Sequence, residues 1–212
     1  AVLDSHIQTH LNPEKLRITH LGGGACSLAR YCADVYPNSR NTIVELDARL
    51  AEYVREWFDI PKSPRVKIRV GDAGAVTRSF APASRDVVIR DVFAVDKTPA
   101  ELTGVDFVRT VDNSLAPGGL YILNCGDDRA LNAARAEAAA LLEVFEYVSI
   151  VADSAMLKGR RRGNIILAGS HVPLPQLGSA EAASISRVLM GGGVPAQYWD
   201  TEKVRAFARK GA

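Results

Sequence analysis

The chain has 212 residues, 47% of them hydrophobic and 24% charged, with a net charge of +2. That is an ordinary globular composition, long enough to bury a sizeable core as one domain. So small a charge gives no reason to expect a nucleic-acid or membrane partner, and no apolar run is long enough to cross a bilayer.

Residues 1–15 are polar, end in Asn12-Pro13 and read as an N-terminal connecting arm. No signal-peptide pattern opens them, so a cytoplasmic protein is expected. Residues 16–21, bounded by Gly22-Gly23-Gly24, read as a buried strand. A helical pattern follows on Leu28, Ala29, Tyr31, Cys32 and Val35 and stops at Pro37-Asn38. A second strand is expected over 41–46, and a second helix on Leu50, Tyr53, Val54, Trp57 and Phe58. The third strand, 66–70, ends in Gly71-Asp72 and leads to a short helix around Val76 and Phe80. The fourth, 86–89, ends near Asp91.

Residues 107–115 look helical, and Pro117-Gly118-Gly119 turns the chain into a strand over 120–124. Ala, Leu, Glu and Arg dominate 131–145, which predicts a helix. Strands at 148–152 and 164–168 flank the basic turn Lys158-Gly159-Arg160-Arg161-Arg162-Gly163. After residue 173, surface helices over 181–189 and 201–208 around Gly191-Gly192-Gly193 read as a C-terminal helical appendage, 173–212, of the main domain, 16–172.

This alternation predicts an α/β, doubly wound, Rossmann-like fold. Its mostly parallel sheet would have about seven strands, with helices on both faces. Such sheets bind ligands beyond the carboxyl ends of their strands, near the switch point, so the residues just after each strand are the candidates. Cys26, Cys32 and Cys125 form no Cys-x-x-Cys pair, and His6, His10 and His171 have no ligand spacing; no metal site is expected. His20, on a buried strand, reads as a satisfied core histidine.

Gly22, Gly23 and Gly24 let the backbone approach a ligand, and the helix after them points free N–H groups into the same space. Alone they fit a tight turn equally well. Glu45 follows at the end of the next strand, roughly 20 residues on, where a ribose-binding acid is expected. Asp47 competes for that role but suits a helix cap better. Asp72, with Ala73, stands where a side-chain oxygen can accept from an adenine amino group, or where it caps a helix. Asp91 can serve as a general base or an amine-binding group, and Phe93 beside it can cover a ring or pack in the core.

The runs Ile18-Thr19-His20-Leu21-Gly22-Gly23-Gly24, Val44-Glu45-Leu46-Asp47, Gly71-Asp72-Ala73, residues 86–91 and Leu115-Ala116-Pro117-Gly118-Gly119-Leu120-Tyr121 together resemble the spermidine synthase (polyamine aminopropyltransferase) family. The resemblance covers roughly residues 16–170 and extends more loosely to class I S-adenosylmethionine-dependent methyltransferases. It implies that Gly22 and Gly24, with Gly23 between them, pass under the methionine-derived part of the nucleoside. Glu45 would hold the ribose, Asp72 and Ala73 would contact adenine, and Asp91 would deprotonate the attacking amine. The cosubstrate implied is decarboxylated S-adenosylmethionine or S-adenosylmethionine, not a tightly bound cofactor. An amine acceptor and a homodimer are implied as partners.

The sequence also departs from the family. The Asp that follows the three glycines and faces the aminopropyl amine is Ala25 here. The second Asp, three residues after the catalytic one, is Ala94, with Asp96 two residues further on. The family's small N-terminal β-rich domain is not expected in this sequence. The arginine turn reads as solvated, or as facing an anionic substrate or partner. The expectation is therefore a spermidine synthase-like protein whose aminopropyl transfer is altered or lost. A methyltransferase, for which Ala25 leaves room for the extra carboxylate, and a non-catalytic nucleoside-binding or oligomerisation domain are the alternatives.

Overall fold

Aliphatic and β-branched residues crowd the middle strands because helices cover both of their faces. The computed structural model describes residues 1–95 and 97–209. Its strands are β1 (Arg17–Leu21), β2 (Arg40–Glu45), β3 (Val66–Val70), β4 (Arg85–Arg90), β5 (Leu115–Asp127), β6 (Tyr147–Asp153), β7 (Gly163–Ser170) and β8 (Ala196–Trp199). They form one sheet in the order β3-β2-β1-β4-β5-β7-β6-β8. The β1–β2, β2–β3, β1–β4 and β4–β5 pairs are parallel, while β7 runs antiparallel to β5 and β6, and β8 antiparallel to β6. The expected doubly wound, mostly parallel α/β fold is present, with an eighth strand.

The helices are α1 (Val2–His10), α2 (Ser27–Val35), α3 (Ala48–Trp57), α4 (Ala73–Arg78), α5 (Gly104–Ser114), α6 (Asn132–Val144), α7 (Ser154–Leu157), α8 (Ala180–Met190) and α9 (Thr201–Ala208). Val88, Tyr121 and Leu123 pack on one face against Phe107, Val111, Leu141 and Phe207 of α5, α6 and α9. On the opposite face Ile18, Val87 and Ile89 meet Leu3, Ile7 and Cys32 of α1 and α2. Among the described residues no helix is long and apolar enough to cross a membrane.

Three segments differ from the sequence reading, each for a local reason. Residues 2–10, read as part of an arm, form α1, whose Leu3 and Ile7 are buried. The Nε2–H of His6 donates to the Gly118 carbonyl at 2.8 Å, and that of His10 to the Pro173 carbonyl at 3.0 Å, fastening the helix to the sheet. Pro117-Gly118-Gly119 does not end a loop. It sits inside β5, where the register against β4 jumps from Arg85↔Leu115 to Val87↔Leu120, so these residues form a bulge with Gly118 at φ +78°. The C-terminal segment adds β8 as well as two helices. Four residues after a glycine run give little periodicity to read, but Tyr198 is buried and β8 extends the sheet beyond β6.

One ionic contact lies inside the core. Arg90, the last residue of β4, is fully buried, and its Nη2 donates to Glu137 Oε1 of α6 at 2.6 Å. Its Nη1 donates to the Leu102 carbonyl. Glu137 lies on the buried stripe of α6 with Ala134, Ala138 and Leu141. Removing one partner of such a pair strands the other charge in a low-dielectric interior. Glu137→Ala is therefore expected to lower the unfolding free energy by about 3–5 kcal/mol. Replacing both Arg90 and Glu137 with apolar residues should recover most of that loss, as read from urea unfolding curves.

Candidate functional site

β1 and β4 are neighbours at the point where the strand order reverses, and there the chain leaves both strands at one level. Main-chain hydrogen bonds continue the ladders one residue past the strands. Gly22 N donates to the Val44 carbonyl at 2.9 Å, Asp91 N to Leu21 at 2.8 Å, and Gly71 N to Glu45 at 2.9 Å. The glycine turn, Glu45, Asp72 and Asp91 thus share the carboxyl edge of the sheet.

Two of the three glycines have a left-handed backbone, Gly22 at φ +90° and Gly24 at φ +46°. A Cβ on Gly22 would lie 2.1 Å from the Asp91 carbonyl oxygen, and one on Gly23 would lie 2.9 Å from Glu45 Oε2. Cys26, at φ +57°, is also left-handed, a conformation rare for a residue with a side chain. It completes the turn by donating its N–H to the Gly23 carbonyl at 2.8 Å. Burial raises the pKa of the Cys26 thiol, which disfavours the thiolate.

Glu45 organises this turn. Its Oε2 accepts from the N–H groups of Gly23 at 2.9 Å and Gly24 at 3.2 Å, and its Oε1 accepts from Asp47 N at 3.0 Å. Asp47 takes the capping position, its Oδ1 accepting from Arg49 N and Leu50 N at the start of α3. Asp72 is likewise a cap, accepting from Ala75 N at 2.7 Å, while Ala73, the first residue of α4, is buried. Asp91 is exposed, and its Oδ1 accepts from the Asn124 side-chain amide of β5 at 2.9 Å. Asn124 escaped the sequence reading, although a polar residue ending an apolar strand beside β4 was the available signal.

A cavity of about 280 Å³ opens between the glycine turn and the sheet, lined among others by His20, Gly23, Ala25, Ile43, Ile89 and Asp91. It brings Gly22, Gly23, Gly24 and Asp91 together; Glu45, Asp72 and Ala73 lie along the strand ends outside it. Leu46, next to Glu45, is 72% exposed, an apolar surface left uncovered at this edge. Phe93 is partly exposed. The basic turn 158–162 joins α7 to β7 at the same edge, with Arg161 bonded to Asp153 and the Gly159 backbone against the Arg129 carbonyl. Asp96 lies outside the described residues.

No protein-family model matches the chain. It superposes on the crystal structure of a probable spermidine synthase from Corynebacterium glutamicum with a TM-score of 0.95 and 59% identity, covering 98% of this chain and 74% of that one. The human methyltransferase-like protein 13 in complex with SAH gives a TM-score of 0.68 and 25% identity, covering 88% and 87%. The mouse eEF1A lysine and N-terminal methyltransferase is 33% identical over 128 residues, 55% of this chain and 18% of that protein. The matched segment spans less than half the length of such curated relatives.

The tight approach of Gly22 to Asp91 carries its own test. Gly22→Ala combines a backbone clash with a strained φ and is expected to cost about 2–4 kcal/mol of stability. Gly24→Ala, where a Cβ meets nothing within 4 Å, should cost only about 1 kcal/mol. Equal urea midpoints for the two variants would show that the turn relaxes away from β4.

Proposed function

This chain belongs to the spermidine synthase-like family, and on that premise we propose that it binds a sulfonium nucleoside, decarboxylated S-adenosylmethionine or S-adenosylmethionine, and transfers an alkyl group from it to an amine. The observation that carries the reading is the placement of Asp91. Its carboxylate is exposed at the mouth of a cavity walled by the glycine turn, and the Asn124 amide orients it.

In this reading Glu45 accepts from the ribose hydroxyls. A carboxylate has about four acceptor positions. The glycine and Asp47 amides fill three, so ribose takes the remaining one and competes for the others. Leu46 gives the base an apolar surface to cover, and Asp72 offers the oxygen its cap leaves over. The sulfonium side chain passes beneath Gly22–Gly24 into the cavity. An amine nitrogen then attacks the carbon bound to sulfur. The new C–N bond forms as the C–S bond breaks, its electron pair stays on sulfur in the departing thioether nucleoside, and the amine proton passes to Asp91.

Transfer of an aminopropyl group would release methylthioadenosine; transfer of a methyl group would release S-adenosylhomocysteine. Ala25 favours the second reading, because no carboxylate there opposes the carboxylate of intact S-adenosylmethionine. The acceptor in either case differs from the family's diamine, since Ala94 removes an acid that would offset a dication.

Two variants test the assignment against calorimetric binding and product release over a panel of amines. Glu45→Ala should weaken methylthioadenosine binding tenfold or more, at the scale of a charged hydrogen bond. Asp91→Asn should lower turnover about 100-fold or more, with nucleoside affinity nearly unchanged. Unchanged affinity in the first variant, or full activity in the second, would remove that residue from its role.

A further inference from the structure

We propose that His20 accepts a hydrogen bond from the terminal ammonium of the bound sulfonium nucleoside, in place of the acid that the family carries at position 25. The proposal rests on the nucleoside reading above and adds to it the group that recognises the far end of the ligand.

The placement follows from the sheet. His20 is paired with Ile43 of β2 on one side and Ile89 of β4 on the other, so the three side chains share a face. All three line the cavity that also holds Gly22–Gly24, Ala25 and Asp91. His20 is the polar group between two aliphatic neighbours on that sheet face. It is only 4% exposed, and what access it has is to this cavity.

Its tautomer is fixed by a chain of hydrogen bonds that begins on the main chain. Ser39 Oγ donates to the Cys32 carbonyl at 3.3 Å. Asn41 Nδ2 donates to Ser39 Oγ at 2.9 Å and to the Arg65 carbonyl at 3.2 Å. A carbonyl can only accept, so the nitrogen of the Asn41 amide is identified and its Oδ1 must be the acceptor. His20 Nε2 lies 3.0 Å from that oxygen and therefore carries the proton. Nδ1 is left with a bare lone pair, and among the described residues no donor engages it.

Nδ1 keeps access to the cavity, where water or the donor of a ligand can reach it. The ring does not take a second proton there, because burial pushes its pKa down to about 4. An ammonium has three donors and no acceptor, which suits this lone pair. A neutral imidazole neither attracts nor repels a carboxylate, so the site should accept intact and decarboxylated nucleosides with similar affinity.

Calorimetric titration of the full chain with decarboxylated S-adenosylmethionine and with methylthioadenosine, which lacks the ammonium, separates the two levels of the argument. His20→Val should raise the dissociation constant of the decarboxylated nucleoside about tenfold or more and leave methylthioadenosine within about twofold. Adding Ala25→Asp to that variant should restore tight binding of the decarboxylated form. Equal weakening of both ligands, or of neither, would overturn the role of His20. Failure of the wild type to bind methylthioadenosine would overturn the nucleoside reading, and the proposal with it.

Because His20→Val also deprives Asn41 of its partner, the ring is to be followed directly in the wild type. In long-range proton–nitrogen spectra, the His20 Nδ1 signal should move toward the hydrogen-bonded value with the decarboxylated nucleoside and stay in place with methylthioadenosine. An unmoved Nδ1 signal with the decarboxylated form bound would overturn the proposal irrespective of the variant's stability.

Discussion

The closeness of two backbones, Gly22 at the end of β1 and Asp91 at the end of β4, is the constraint on which the site depends. A side chain at Gly22 would enter the Asp91 carbonyl. Removing it lets the two strand ends lie against each other and fixes where Asp91 stands relative to the glycine turn. The left-handed Gly22, Gly24 and Cys26 then fold the chain back over a cavity instead of across it. Backbone strain of this kind persists where its surroundings over-determine it. Here they do, through the ladder bonds to Val44 and Leu21 and the two amide contacts from Glu45.

Glu45 joins the architecture to the chemistry. In the proposed reading the carboxylate that would accept from ribose already holds the loop beside it, so the loop is shaped before any ligand arrives. Pre-ordering reduces the entropy lost on binding. It also means that changing Glu45 loosens the glycine turn as well as removing an acceptor. Asp47 and Asp72, by contrast, spend their side-chain oxygens on helix termini, as short acids at the starts of helices commonly do.

Much of this was legible from the chain itself, and the parts that were not share a cause. Strands β1 to β4 announce themselves as short stretches of aliphatic residues ended by glycine or an acidic residue, and the switch point follows from their alternation with helices. The place of Glu45 at the end of β2 was legible through its spacing from the glycines. Glu137 was not, because a glutamate in an alanine-rich helix reads as a solvent-facing residue; only its phase with Ala134, Ala138 and Leu141 places it inward. Asn124 and Arg90 gain their meaning from partners 33 and 47 residues away. His20, read as a core histidine, is buried and bonded to Asn41 across the sheet, and that bond decides which ring nitrogen is left for the cavity. Pairwise relations over such separations leave no periodic trace.

Arg90 has a consequence beyond stability. It ends β4, and it also grips the Leu102 carbonyl, so one buried side chain ties together the two ends of the segment between them. Lengthening a loop with anchored ends costs little, about 0.6 kcal/mol for each doubling. Insertions or deletions between these anchors can therefore accumulate without disturbing the strand that presents Asp91. Within a lineage built on this frame, that segment can drift in length and sequence while the glycine turn stays as it is.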